Sequence, residues 1–398
     1  MNSDVAKQYE ESPAQRDFIV FGAPQICDDE IDEVVDSLRS GWLGTGPKVA
    51  KFEEKFKEYT GAEHAMALNS CTAGLHLSML VAGLRPGDEV ISTPMTFCAT
   101  INTILHAGAT PVLVDCERES QLIDPQRIED AITPKTRAIV PVHFAGRPCD
   151  MDAICDIAQR HDLVVIEDAA HAIETVYKGR KVGNIGHLTC FSFYVTKNVV
   201  TGEGGMVTTT NSNYADKIKM YGLHGMSQDA WKRFSDEGYK HYQVVFPGFK
   251  YNMMDIQAAI GLHQLERVEE NLARREQIWR IYDEAFADLP VGLPQSSVEQ
   301  GSLHARHLYT LMIDKERCGL TRDEFMKRMY DANIGTGVHY IGVHLHQYYR
   351  ERFGYQPQDF PNTTWLSERT VSIPLSPALS DSDVEDVIES VRSILKSS

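Results

Sequence analysis

Between residues 163 and 205 the chain reads LVVIEDAAHAIETVYKGRKVGNIGHLTCFSFYVTKNVVTGEGG, and no other stretch limits the available folds so strongly. Leu163-Val164-Val165-Ile166 is an unbroken apolar run, the pattern of a parallel strand buried on both faces. Glu167 and Asp168 follow where such a strand must emerge, the ligand-binding edge of an open α/β sheet. A second apolar and aromatic run, Cys190 to Val195, delivers Lys197 just ahead of the glycines of Thr201-Gly202-Glu203-Gly204-Gly205. Upstream, strand patterns at 88–94, 111–115 and 137–142 alternate with helical patterns at 98–106, 125–132 and 151–161. The spacing predicts a doubly wound, mainly parallel sheet, and it carries no dinucleotide-binding GxGxxG.

An acid at one strand end and a lysine at the next suit pyridoxal-phosphate chemistry. There an amine forms a Schiff base with the cofactor aldehyde, and a carboxylate keeps the pyridine nitrogen protonated as an electron sink. Lys197 supplies the amine and Asp168 the carboxylate. Lysine fits because burial readily lowers its pKa and frees a nucleophilic base, which arginine does not offer. Asn69-Ser70-Cys71-Thr72-Ala73-Gly74 reads as a polar loop opening into a helix, where unpaired N–H groups and the helix dipole favour a phosphate. Each feature also has an ordinary reading: a surface lysine, a capping aspartate, a capped helix, a core phenylalanine at Phe97.

IEDAAHA followed by FSFYVTKNVVTGEGG resembles the DegT/DnrJ/EryC1/StrS family of sugar aminotransferases, and the resemblance runs from about Trp42 to about Pro374. It implies the α/β fold of type I pyridoxal-phosphate-dependent transferases, with a large doubly wound domain and a smaller C-terminal α/β domain. It also implies site residues: Lys197 for the Schiff base, Asp168 for the ring nitrogen, and the amides of Cys71 and Thr72 with Ser192 for the phosphate. Phe97 is implied to stack on the ring, with His171 near it. The segment PGFKYNMMD resembles an element whose asparagine crosses a dimer interface, so Asn252 is expected to reach a partner's cofactor phosphate. IGTGVHY with HLHQYYRERFG resembles the enzymes that make UDP-4-amino-4-deoxy-L-arabinose, implying His339 and Tyr340 as sugar or diphosphate contacts. The implied activity is amino transfer from L-glutamate to a nucleotide-linked keto-sugar, with C4 of a UDP-4-keto-sugar preferred over C3. The implied setting is lipopolysaccharide or other surface-glycan synthesis, by a homodimer with shared active sites.

Two departures matter. Tyr194-Val195 stand where many members have His-Pro, which bears on pocket shape and not on the lysine. A branch of the fold that dehydrates sugars replaces the lysine by histidine, and Lys197 argues against that branch. The rivals left open are a pyridoxal-phosphate-dependent dehydratase and a non-catalytic regulatory or scaffold protein of the same fold.

At 398 residues the chain is long enough for two domains, expected as 1–254 and 255–398, the second beginning with a long linking helix from Asp255 to about Leu289. Residues 1–17 read as polar and poorly ordered, and 227–240 as an exposed loop or helix. The amphipathic stretch Asp28–Ser40 is expected to pack through Ile31, Val34, Val35 and Leu38. A net charge of −17 argues against a nucleic-acid surface. Eight cysteines without a CxxC pair or zinc spacing suggest a reducing cytoplasm and no metal site, and no apolar run suggests a membrane span.

Overall fold

The structure, a computed structural model, describes residues 18–226 and 243–396. The expectations for 1–17 and for 227–240 lie outside the described residues. The strands are β1 (His64–Leu68), β2 (Glu89–Ser92), β3 (Thr110–Leu113), β4 (Thr136–Val140), β5 (Val164–Asp168), β6 (Val176–Tyr177), β7 (Arg180–Lys181), β8 (Leu188–Ser192), β9 (Gly205–Thr209), β10 (Tyr309–Met312) and β11 (Thr370–Ile373). Seven of them form one sheet in the order β1-β9-β8-β5-β4-β2-β3. The run from β3 to β8 is parallel, while β9 lies antiparallel to both its neighbours. Val165, Ile166, Ala138, Ile139 and Val140 are buried, as strands covered on both faces require.

Helices Cys71–Val81, Cys98–His106, Met151–His161 and Ser212–Gly222 follow strands of this sheet. Parallel crossovers return each chain end to the same edge, so the loops after β2, β4, β5 and β8 collect there. A second apolar core forms where Trp279, Tyr282 and Phe286 meet Tyr309 of β10, Ile373 of β11 and Val387 of the helix Asp381–Lys396. Val343, Tyr349 and Phe360 instead join the core of the large sheet. No described helix is long and apolar enough to cross a membrane.

Three sequence expectations are corrected. The aromatic run 190–195 is not all strand: β8 ends at Ser192, and Tyr194 and Val195 are exposed on the turn closed by Lys197 N–H donating to the Tyr194 carbonyl at 2.9 Å. The long linking helix is two helices, Asp255–Glu266 and Val268–Phe286, divided at Arg267, where φ is −99° and ψ 3°. In Asp28–Ser40 the packed edge is polar. Glu30 is buried, accepts from Gln264 Nε2 at 2.8 Å and pairs with Arg267, whereas Ile31 and Leu38 are 52% and 55% exposed. Periodicity located that helix but a buried ion pair chose its seated face.

Candidate active site

Asp168 ends β5 with its carboxylate buried. Oδ2 accepts from Thr100 Oγ1 at 2.7 Å and Oδ1 from the Ala170 N–H at 3.1 Å, and no lysine or arginine pairs with it among the described residues. Burial pushes its pKa up, against the Thr100 and Ala170 hydrogen bonds and the nearby Lys197 charge. A buried carboxylate with no cation in direct contact fits a cationic ring nitrogen.

Lys197 lies half-buried on the turn after β8. Burial lowers its pKa from 10.5 to about 8, while Cys71 and Asp168 pull the other way. Its charge is felt at Asp168, Cys71, His171, His307 and His339, so these groups share one site.

The helix Cys71–Val81 begins at this site. Ser70 caps it, its Oγ accepting from Ala73 N–H at 3.1 Å, which leaves the Cys71 and Thr72 N–H groups at the open end of the helix dipole. Cys71 is buried and Thr72 exposed. Gly205, at the start of β9, presses on this loop: a Cβ there would lie 2.4 Å from the Cys71 nitrogen. Only glycine permits that approach. Ser192 Oγ stands at the end of β8, with a 3.4 Å contact from Tyr194 N–H. The Asn252 backbone bridges to Leu68 beside the same loop; its Nδ2 donates to Thr45 Oγ1 at 2.6 Å, and its buried Oδ1 has no partner. An open helix end and a nearby hydroxyl fit an anionic group that accepts hydrogen bonds.

Phe97 is not a core residue: it is 57% exposed at the start of the helix Cys98–His106, its ring 6.0 Å from that of Tyr340. The Ala145 N–H donates to His171 Nδ1 at 3.2 Å, so the neutral ring carries its proton on Nε2 and donates it to Tyr340 Oη at 3.0 Å. Burial, then the Lys197 charge, holds the His171 pKa well below the histidine range. Thr96, Phe97, Asn102, His106, Tyr340 and Tyr348 are among the residues around an open cavity of about 650 Å³, large enough for a sizeable organic substrate. His339 is not among the residues lining that cavity. Its Nδ1 meets Ser372 Oγ at 2.8 Å, its ring lies 5.5 Å from Phe21, and burial drops its pKa to about 3.

Sequence reasoning passed over Thr100, Asn198 and His307. The His307 ring lies 4.3 Å from that of His171, and its Nδ1 lies 2.7 Å from Asn198 Oδ1. A usable signal was present in His304-Ala305-Arg306-His307, two histidines and a cation directly before an apolar strand. His143 binds Glu167 at 2.9 Å and accepts from Cys149 N–H, wholly inside the core.

Comparison with known proteins finds relatives over nearly the whole chain. The chain is 52% identical over 380 residues to the spore coat polysaccharide biosynthesis protein SpsC of Bacillus subtilis, covering 95% of this chain and 97% of that protein. It superposes on the putative sugar aminotransferase Spr1654 of Streptococcus pneumoniae in its PMP form with a TM-score of 0.89, 34% identity, and 95% and 99% of the two chains covered. That protein is also solved in a PLP form. DesI, solved in the presence of its TDP-sugar product, matches with a TM-score of 0.84, 32% identity, and 96% and 93% coverage. The profile of the DegT/DnrJ/EryC1/StrS aminotransferase family matches residues 24–392. The chain therefore belongs to the DegT/DnrJ/EryC1/StrS aminotransferase family, as an α/β-fold, pyridoxal-phosphate-dependent sugar aminotransferase.

Proposed function

We propose that the protein moves an amino group from L-glutamate to C4 of a UDP-linked 4-keto-sugar, for a surface polysaccharide. One observation carries the reading: Lys197 shares its site with a buried carboxylate that pairs with no lysine or arginine among the described residues, beside an open helix N-terminus. Pyridoxal phosphate, when bound, supplies the electron sink that lets an α-proton leave the amino donor. Lys197 Nζ anchors the cofactor and, once released, moves that proton. Asp168 keeps the ring nitrogen protonated, steadied by Thr100 and the Ala170 N–H. The Cys71 and Thr72 amides and the Ser192 hydroxyl hold the phosphate. Phe97 covers the ring, and His171, fixed in one tautomer, lies near it.

Tyr340 and the aromatic wall of the 650 Å³ cavity receive the sugar nucleotide, with His339 orienting Tyr340 from the inner side. The named relatives support the substrate class, SpsC through coat polysaccharide and DesI through a TDP-sugar. The preference for UDP and for C4 rests on the likeness of the C-terminal segment. A homodimer is part of the reading. Ile31, Leu38, Trp42, Leu43 and Met254 are left exposed, and the assignment of Asn252 to a neighbour's cofactor phosphate rests on the likeness of its segment.

Purified holoenzyme with glutamate and UDP-4-keto-sugar should yield a product whose NMR spectrum places nitrogen on C4. Nitrogen on C3 of the natural substrate would remove the positional assignment, and no loss of visible absorption on adding glutamate alone would remove glutamate as donor.

A further inference from the structure

Behind Lys197 lies a hydrogen-bonded chain that the reaction outlined above does not use. Glu174 is fully buried, and both its oxygens face donors: Oε1 meets Arg275 Nη2, and Oε2 accepts from Asn198 Nδ2 at 2.8 Å. Arg275, 1% exposed, also donates to the Ala305 carbonyl at 3.3 Å, which receives Asn198 Nδ2 at the same distance. Two acceptors on Nδ2 fix which way the Asn198 amide faces. Its Oδ1 therefore accepts at 2.7 Å from His307 Nδ1, and that nitrogen must carry the proton.

The second nitrogen of His307 is then decided by charge. Its surroundings are cationic or neutral: Lys197, His339, Arg275 and His304 act on it, and the His171 ring packs against it at 4.3 Å. Burial, followed by the Lys197 charge, keeps it well below the histidine range, so the ring is neutral and Nε2 is a bare lone pair. It makes no direct hydrogen bond with another described residue, Lys197 Nζ included. His307, Lys197, Asn198 and Arg275 line one small cavity of about 30 Å³. The backbone ties His307 to His171 through Ala145, whose N–H donates to His171 and whose carbonyl accepts from His307 N–H at 3.0 Å.

We propose that His307 is a positioning residue for Lys197: the Glu174–Asn198 arm locks its tautomer so that Nε2 accepts, through one water in the small cavity both residues line, the hydrogen bond that Lys197 Nζ donates whenever that amine is free. This deepens the proposed function and rests on Lys197 being the reacting lysine. A neutral acceptor that resists protonation steers the amine without competing for its proton. Asp168 and Cys71 are the other groups acting on Lys197, and neither changes in the variants below.

The test uses cofactor-free enzyme, so nothing is read through turnover. Acylation of Lys197 by an amine reagent, quantified on its peptide by mass spectrometry across pH, gives the midpoint of the amine. In Asn198→Ala, which keeps His307 but frees its tautomer, and in His307→Leu, which removes the acceptor, the proton affinity of Lys197 should fall about tenfold, one pH unit. His307→Gln, whose amide oxygen can accept, should stay within about twofold of wild type. A midpoint unmoved in Asn198→Ala overturns the inference, and so does a fall in His307→Gln equal to that in His307→Leu, because loss of packing alone would then explain both. Borohydride trapping on wild type separates this outcome from failure of the parent reading. If the cofactor is fixed on Lys197 while the midpoints fail to move, only the role of His307 is lost.

Discussion

At the scale of single residues, the site works by withholding neighbours. Asp168 has hydrogen-bond donors but no cation in contact among the described residues, and Lys197 has a packed surround that disfavours its charge. The lysine's value has a direct kinetic consequence. At neutral pH an amine at about 8 has roughly 300 times the free-base fraction of one at the usual 10.5. Because the folded-state value is lowered, the reactive form accumulates as pH rises through about 8 and is lost as pH falls below it. Reloading cofactor-free enzyme with pyridoxal phosphate should therefore speed up about tenfold per pH unit below that value and level off above it. A rate still climbing tenfold per unit at pH values well above 8 would show a lysine of ordinary basicity. Lys197 and Asp168 were legible because each follows a strongly patterned strand. Thr100, Asn198 and His307 were passed over, because Thr100 meets Asp168, Asn198 meets Glu174 and His307 meets Asn198 only once the chain is folded.

At the scale of elements, strand ends and one helix start assemble the site, and their spacing leaves little slack. The entry of β9 against the Ser70-Cys71 loop is tight, since a Cβ on Gly205 would sit 2.4 Å from backbone on that loop. Gly205→Ala should force the loop away from β9, costing about 1–3 kcal/mol of stability as overpacked cores do. The displaced helix N-terminus should also weaken retention of the cofactor phosphate. Thermal unfolding and equilibrium dialysis of cofactor report the two effects. A variant with wild-type melting and retention would mean that the loop gives way freely and does not shape the phosphate site. Elements were readable wherever apolar period and boundary residues agreed, as in Cys71–Val81 and Met151–His161. Reading failed where a polar contact overrode the period, as in Asp28–Ser40, whose seated edge is set by Glu30, Gln264 and Arg267.

At the scale of the whole molecule, residues far apart in sequence meet at one sheet edge. The parallel crossovers carry Phe97, Asp168 and Lys197 to that edge, and the segment after β10 brings Tyr340 back to it. The sheet was legible from the succession of strand and helix patterns. The return of Val343, Tyr349 and Phe360 to the large core was not, since periodicity says which face is apolar and not which surface it meets. Every lysine of the chain is available to pyridoxal phosphate in principle, and the central claim is that folding selects one. Borohydride reduction of holoenzyme, followed by digestion and peptide mass spectrometry, fixes the cofactor to whichever amine holds it. The account predicts stoichiometric pyridoxyl label on the peptide containing Lys197 and none on the other lysines; label on a different lysine, with Lys197 unmodified, would contradict it.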